Sequence, residues 1–316
     1  MKETPKKKHF LFCGQRFSMI SIAMATYNGS KYVQLQLDSI LQQTISDFEI
    51  IICDDNSSDE TWEILQKNSV RDSRIKVFRN KQNLGFKANF EKAINLCQGE
   101  YVALADQDDI WEKNHLEILL SRIGTKSIAC GDALLIDSNG NSLNKTLSDV
   151  NFLETEPQAN LDVAYRVFFN SSCFQGASML IRRDFFKIAL PIPEKAKYHD
   201  AWFAALAPFV NGLIYTKTII TQHRRHASNA SQPLQWKSLG PFLFRKAPYL
   251  PDRSFWGKAI QERIPHLSPA QRKFLKSVKK YYTRRLARTR KAKDFFFRLL
   301  HYSAIYTTKS KIYLEW

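Results

Sequence analysis

Asp106-Gln107-Asp108-Asp109 puts three carboxylates into four residues, directly after the apolar run from Tyr101 to Ala105. Carboxylates packed this closely repel one another, and a cation or solvent must relieve the repulsion. Hard divalent cations such as Mg2+ and Mn2+ favour such oxygen ligands and keep open positions for phosphate oxygens. An acidic turn that caps the next helix would use the same residues without a metal. Placement at the end of the fourth strand of an alternating pattern favours the metal.

The elements that would hold this segment can be read from hydrophobic periodicity. Ser18 to Thr26 is a short apolar run ending in the turn signal Tyr27-Asn28-Gly29-Ser30, after which Val33, Leu37, Ile40 and Leu41 recur at helical spacing. Phe48 to Cys53 repeats the pattern, running into Asp54-Asp55-Asn56-Ser57-Ser58-Asp59 and then a helix carrying Trp62, Ile64 and Leu65. A third pass gives Ile75 to Arg79, the loop Asn80 to Gly85, and a helix through Phe90, Ala93, Ile94 and Leu96. The expected fold is therefore α/β, a mostly parallel sheet with helices on both faces and a ligand crevice at the carboxyl ends of the strands. No G-x-G-x-x-G follows any of these strands, which argues against a dinucleotide fingerprint. After about residue 127 the pattern weakens to two short strand candidates, Ser127 to Asp132 and Ser178 to Ile181.

Four ordered motifs together resemble glycosyltransferase family 2, inverting enzymes on the GT-A fold. They are Ile20 to Asn28, Ile52 to Asp59, Asn83-Leu84-Gly85 with Asn89, and Asp106 to Asp109, and the resemblance covers roughly residues 18 to 230. It implies that Thr26, Tyr27, Asn28, Asp54 and Asp55 hold the nucleoside, with Asn83, Gly85 and Gln107 on the same donor side. It also implies that Asp106 and Asp108 meet the ribose and the metal. DQDDIW is similar to bacterial rhamnosyltransferase-like members, which suggests dTDP-rhamnose or a UDP-sugar as donor.

Further along, Phe174-Gln175-Gly176-Ala177-Ser178 resembles the segment lining the acceptor side, where Gly176, Ala177, His199 and Trp202 are expected. A plain turn before a strand accounts for Gly176 equally well. Tyr198-His199-Asp200 resembles the family's acidic motif, whose Asp is the general base, although His199 stands where Glu is usual. A lone Asp after a loop is also a common helix cap. Arg224-Arg225-His226-Ala227-Ser228-Asn229 resembles an R-x-H-x-x-N segment in which His226 completes a Mn2+ or Mg2+ site and Arg224 faces the diphosphate.

The formal charge of +17 is unevenly spread. Residues 1–231 carry 27 Lys and Arg against 26 Asp and Glu, whereas residues 232–316 carry 20 against 4. A basic extension over residues 1–17, a catalytic domain over 18–231 and a basic, aromatic, mainly helical region over 232–316 are expected. In that last region Phe274, Val278 and Tyr281 or Tyr282 share a helical face, and Phe295-Phe296-Phe297 with Leu299 and Leu300 form a second apolar cluster. An anionic membrane surface suits this composition, and so does packing of the aromatics on the catalytic body.

Five scattered cysteines fit a reducing cytoplasm, the basic N-terminus makes a poor signal peptide, and no run is long enough to span a membrane. The expected place is the cytoplasm or the inner face of the membrane, and the expected partners are a nucleotide sugar and a glycan or lipid-linked glycan. Two rival readings remain at this level. A nucleic-acid-binding protein explains the tail but not the acidic loops, and a sugar nucleotidyltransferase wants a Gly-rich phosphate loop near the N-terminus that Met24 to Ser30 does not supply.

Overall fold

The computed structural model describes residues 20–151, 153, 155–157, 159–169, 174–227, 229 and 253–286. The extension expected over 1–17, the Phe295 to Leu300 cluster and the stretch from 231 to 252 lie outside the described residues. The first half follows the expected alternation, with β1 (Ile20–Thr26), α1 (Val33–Leu41), β2 (Phe48–Asp54), α2 (Thr61–Arg71), β3 (Ile75–Arg79), α3 (Phe86–Leu96) and β4 (Tyr101–Asp106). Then come β5 (Ile110–Trp111), α4 (His115–Ile123), β6 (Ile128–Ile136), β7 (Ser142–Thr146), α5 (Leu147–Val150) and α6 (Asn160–Phe169). The rest comprises β8 (Met179–Arg182), α7 (Phe186–Ala189), α8 (His199–Leu206), β9 (Leu213–Arg224), α9 (Ser254–Arg263) and α10 (Pro269–Leu286).

Among the described residues the strands form one sheet in the order β3-β2-β1-β4-β8-β6-β9-β5, with β7 paired to β6. Pairing is parallel from β3 to β4, turns antiparallel where β8 meets β4 and β6, and is parallel again between β6 and β9. Strands buried on both faces must be apolar throughout, and alternation then decides which layer each side chain joins. Ile20, Ile22, Met24, Ile50 and Ile52 meet Val33 and Leu37 of α1, Leu65 of α2 and Leu116 and Leu119 of α4 on one face. Ala23, Ile51, Cys53 and Leu104 meet Phe90, Ala93 and Ile94 of α3 and the aromatics of α6 and α8 on the other.

The two C-terminal helices join this second layer. Trp256 and Ile260 of α9 and Phe274, Leu275, Val278, Tyr281 and Tyr282 of α10 are buried in the same core cluster as Phe168 and Phe169 of α6. The rings meet edge to face, the preferred arrangement, with Tyr165–Phe274 centroids 4.8 Å apart and Phe169–Tyr281 5.0 Å apart. The tail aromatics within the described residues are thus consumed by packing on the catalytic body.

Candidate active site

Parallel strands in register bring the loops at their ends side by side. Thr26 pairs with Asp54 across β1 and β2, and Ala25 with Asp106 across β1 and β4. Three polar segments far apart in sequence therefore open on one edge of the sheet, the crevice where ligands bind in such sheets.

The loops hold one another through side chain to backbone bonds. Asp54, fully buried, accepts from the Thr26 hydroxyl at 3.1 Å and from the Ser57 amide at 3.0 Å, and Arg79 stands 3.6 Å away. Asp55 accepts from the amides of Leu84 and Gly85 and from Asn80. Asn28, at φ 47°, donates its amide to Ser57 Oγ and accepts from the Ser58 amide, so the first two loops are laced together. Gly85 sits at φ 81°, and Asn83 Oδ1 accepts its amide as well. Asp54 and Asp55 thus stand behind the crevice wall and shape it, while Tyr27 is left 48% exposed at the rim.

Gln107 explains that exposure. Its Oε1 accepts from the Tyr27 amide at 2.8 Å and its Nε2 donates to the Tyr27 carbonyl at 3.0 Å. This two-bond clamp fixes the backbone of the first loop against the fourth-strand segment. A Cβ on Gly29 would lie 2.2 Å from Gln107 Oε1, so glycine is needed there for the clamp to close.

The acidic segment divides its labour. Asp109 is fully buried and accepts from His223 Nδ1 at 3.0 Å, from the Arg224 amide at 3.0 Å and from Gln175 Nε2 at 3.1 Å. Burial works against a charged His223, yet the Asp109 carboxylate beside it holds its pKa above the usual value. Asp108 meets His226 Nε2 at 2.8 Å, with Asn229 Nδ2 at 3.4 Å. Burial and then the charges of Asp109, Asp108 and Asp200 push the Asp106 carboxyl well above the usual carboxylate range. Four carboxylates therefore crowd one crevice. Among the described residues no group of three or more His, Cys, Asp or Glu encloses a metal as it stands. The Asp108 carboxylate is nonetheless an oxygen ligand of the kind Mn2+ or Mg2+ takes, with positions left for phosphate, and the His226 imidazole lies against it.

Arg224 departs from expectation. It is 2% exposed, donates Nε to the Asp108 carbonyl at 2.9 Å and Nη1 to the Asp137 carbonyl, and lies over the Tyr32 ring at 4.7 Å. Through these two backbone bonds it braces the acidic segment.

On the opposite wall Asp200, in the first turn of α8, accepts from the Gly176 amide at 3.2 Å and from the Ala201 amide at 2.6 Å. His199 beside it is buried, lies tilted 4.2 Å from the Phe90 ring, and among the described residues finds no hydrogen-bond partner for either nitrogen. Burial holds its imidazole below the usual pKa, against the pull of Asp200. A Cβ on Gly176 would come within 2.9 Å of His199 Nε2, so close approach is what calls for glycine there. Ala177 is buried, its carbonyl accepting from Thr221. Trp202 is a second correction. It is fully buried and donates Nε1 to the Ala189 carbonyl at 2.9 Å, so it packs the core behind α8 and presents nothing to an acceptor.

Sequence reasoning gave no role to Asp109 or Gln175, though both lie inside the quoted motifs. The available signal was the third carboxylate itself, since one buried acid among several must have donors of its own.

The model for glycosyl transferase family 2 matches residues 21–188, more than half of the 316 residues. The chain is 26% identical over 213 residues to WfaP of Escherichia coli, a UDP-Glc:alpha-D-GlcNAc-diphosphoundecaprenol beta-1,3-glucosyltransferase, covering 67% of this chain and 80% of that protein. A chondroitin synthase of Escherichia coli is 37% identical over 117 residues, 37% of this chain but only 17% of that protein. For a second Escherichia coli glucosyltransferase, WfgD, the chain spans 48% of its length at 33% identity. Among solved structures, S. aureus TarS 1-349 in complex with UDP-GlcNAc superposes with a TM-score of 0.59 at 19% identity, over 87% of this chain and 74% of that chain. The architecture is that of the GT-A fold. With its four motifs gathered on one sheet edge and the model matched over most of the parallel half, the chain belongs to glycosyl transferase family 2.

Proposed function

We propose that this protein is an inverting glycosyltransferase that moves one sugar from a nucleoside-diphosphate sugar to a hydroxyl of a lipid-linked glycan. The setting would be bacterial surface polysaccharide synthesis on the cytoplasmic side of the membrane. One observation carries the reading. Gln175 donates to Asp109 at 3.1 Å and the next residue, Gly176, donates its amide to Asp200 at 3.2 Å, so Asp200 and the acidic segment share a crevice.

The chemistry follows from this placement. Tyr27, held by Gln107, offers an exposed ring for a nucleobase, and the Asn28 and Gly85 loops supply the walls. Asp108 and His226, with Asp106 beside them, would hold Mn2+ or Mg2+, which neutralises charge growing on a leaving diphosphate. Asp200 is oriented by the Gly176 and Ala201 amides. It takes the proton of the acceptor hydroxyl as that oxygen attacks the anomeric carbon opposite the diphosphate, and a single displacement inverts the configuration. His199 is buried whereas Asp200 is partly exposed, which leaves the carboxylate as the base of the motif within reach of an acceptor. The lipid-linked acceptor and a UDP-sugar donor are supported by the likeness to WfaP, and dTDP-rhamnose by the DQDDIW resemblance.

The test is release of free nucleoside diphosphate from UDP-glucose, UDP-GlcNAc and dTDP-rhamnose, with and without Mn2+, in the presence of a diphosphoundecaprenol-linked sugar. Metal-dependent release from one donor is expected. Tight binding of all donors with release from none would overturn the reading.

A further inference from the structure

Helix α10 separates its aromatics and its cations onto opposite faces. Phe274, Leu275, Val278, Tyr281 and Tyr282 are buried against the catalytic body. Arg272, Lys273, Lys276, Lys279 and Lys280 are all exposed. At 3.6 residues per turn these five positions fall within an arc of about 120°, spread over roughly 12 Å of helix axis. Thr283, also exposed, lies near the centre of that arc.

No acid dilutes the stripe. The helix contains none, and the sequence has none from Arg263 to Lys293. Among the described residues none of the four lysines forms a salt bridge, whereas Lys258 on α9 does pair with Glu262. Like charges three and four residues apart destabilise a helix, so this face works against the fold, and the packed aromatic face offsets it. The face offers no ring to stack on or to insert, because the rings point inward.

We infer that the cationic face of α10 docks the enzyme on an anionic phospholipid surface by electrostatic attraction alone. A plane of lipid phosphates complements a straight row of cations, each worth an appreciable attraction within a Debye length of the surface. Single-stranded nucleic acid binding draws on exposed aromatic platforms, and the rings of α10 are buried. Among the described residues no helix is long and apolar enough to cross a membrane, so this contact would be peripheral. The inference stands apart from the transferase reading, because it concerns a surface on a different element and is read by binding.

The experiment uses the full chain in vesicle co-sedimentation. Phosphatidylcholine vesicles containing phosphatidylglycerol are compared with pure phosphatidylcholine, for wild type and for Lys273→Gln, Lys276→Gln, Lys279→Gln and Lys280→Gln combined. These side chains are exposed, and the melting transition and nucleoside diphosphate release of the variant check that it folds and works as before. Wild type is expected to bind the anionic vesicles only, with affinity falling steeply as salt rises. The variant should bind on the order of 1,000-fold more weakly. Unchanged binding by the variant would assign the contact to another basic stretch and overturn the role of α10. Failure of wild type to bind, equal binding to neutral vesicles, or preference for duplex DNA over anionic vesicles would each sink the membrane assignment.

Discussion

The two walls of the crevice are built in opposite ways. On the donor side each polar group is tied to a neighbouring loop. Asp54 and Asp55 take amide and hydroxyl donors from three segments, Gln107 clamps Tyr27, and Asp109 gathers His223, Arg224 and Gln175. On the wall with Asp200 the carboxylate is held by two backbone amides, and among the described residues neither ring nitrogen of His199 has a partner. A wall whose hydrogen bonds are already made is preorganised for its ligand. The first wall is therefore fixed by its own bonds, while the second is held by fewer of them.

The comparison breaks if disturbing one wall damages the function of the other. Asp108→Ala should produce the largest loss, lowering transfer on the order of 1,000-fold and weakening Mn2+-dependent donor binding, both read by calorimetry and product release. Asp109→Ala removes the acceptor from the buried His223 and Arg224 amide and from Gln175, and should destabilise the fold by about 3 kcal/mol in urea unfolding. If its stability were unchanged, the anchoring role would be wrong.

Acid should weaken the fold through His115. This ring is fully buried, stacks on Trp111 at 3.9 Å, and has its pKa lowered by burial to about 3. The unfolded chain binds a proton there below about pH 6.5 while the folded chain does not, so stability falls as pH drops from about 6.5 toward 3. The contribution approaches roughly 1.4 kcal/mol per pH unit. His115→Phe should flatten that part of the stability profile measured by denaturant titration.

Gly176→Ala forces a methyl toward His199 and should cost about 1–3 kcal/mol of stability, lowering kcat while donor affinity stays near wild type. Gln107→Ala should do the reverse at the smallest scale, weakening donor binding by about 1 kcal/mol with kcat little changed. An exchange of these two signatures would invert the assignment of the walls.

How much of this could be read in the sequence depends on whether burial followed a simple period. β1 and β2 are buried at nearly every position, and the helices after them carry their apolar residues at helical spacing, so strand, loop and helix were legible. β9 escaped notice. Its burial pattern is irregular, its pairing with β6 shifts register, and it contains Thr221 and His223, buried polar residues whose partners lie far away in sequence. The same reason hid the roles of Gln107 and Arg224. Their types suggested contact with a ligand, but β1 lies beside β4, and β9 beside β5, only in the folded sheet. The helical face of Phe274, Val278 and Tyr281 was visible, whereas its partner, α6, lies about a hundred residues earlier.

The most direct test of the account is Asp200→Asn, assayed for donor binding and for transfer on one preparation. Asparagine keeps the shape and can still accept the Gly176 amide, but it cannot take a proton. The account predicts donor affinity within about twofold of wild type and turnover reduced on the order of 1,000-fold. Near-normal turnover would contradict the assignment of Asp200 as the base and, with it, the proposed division of the crevice.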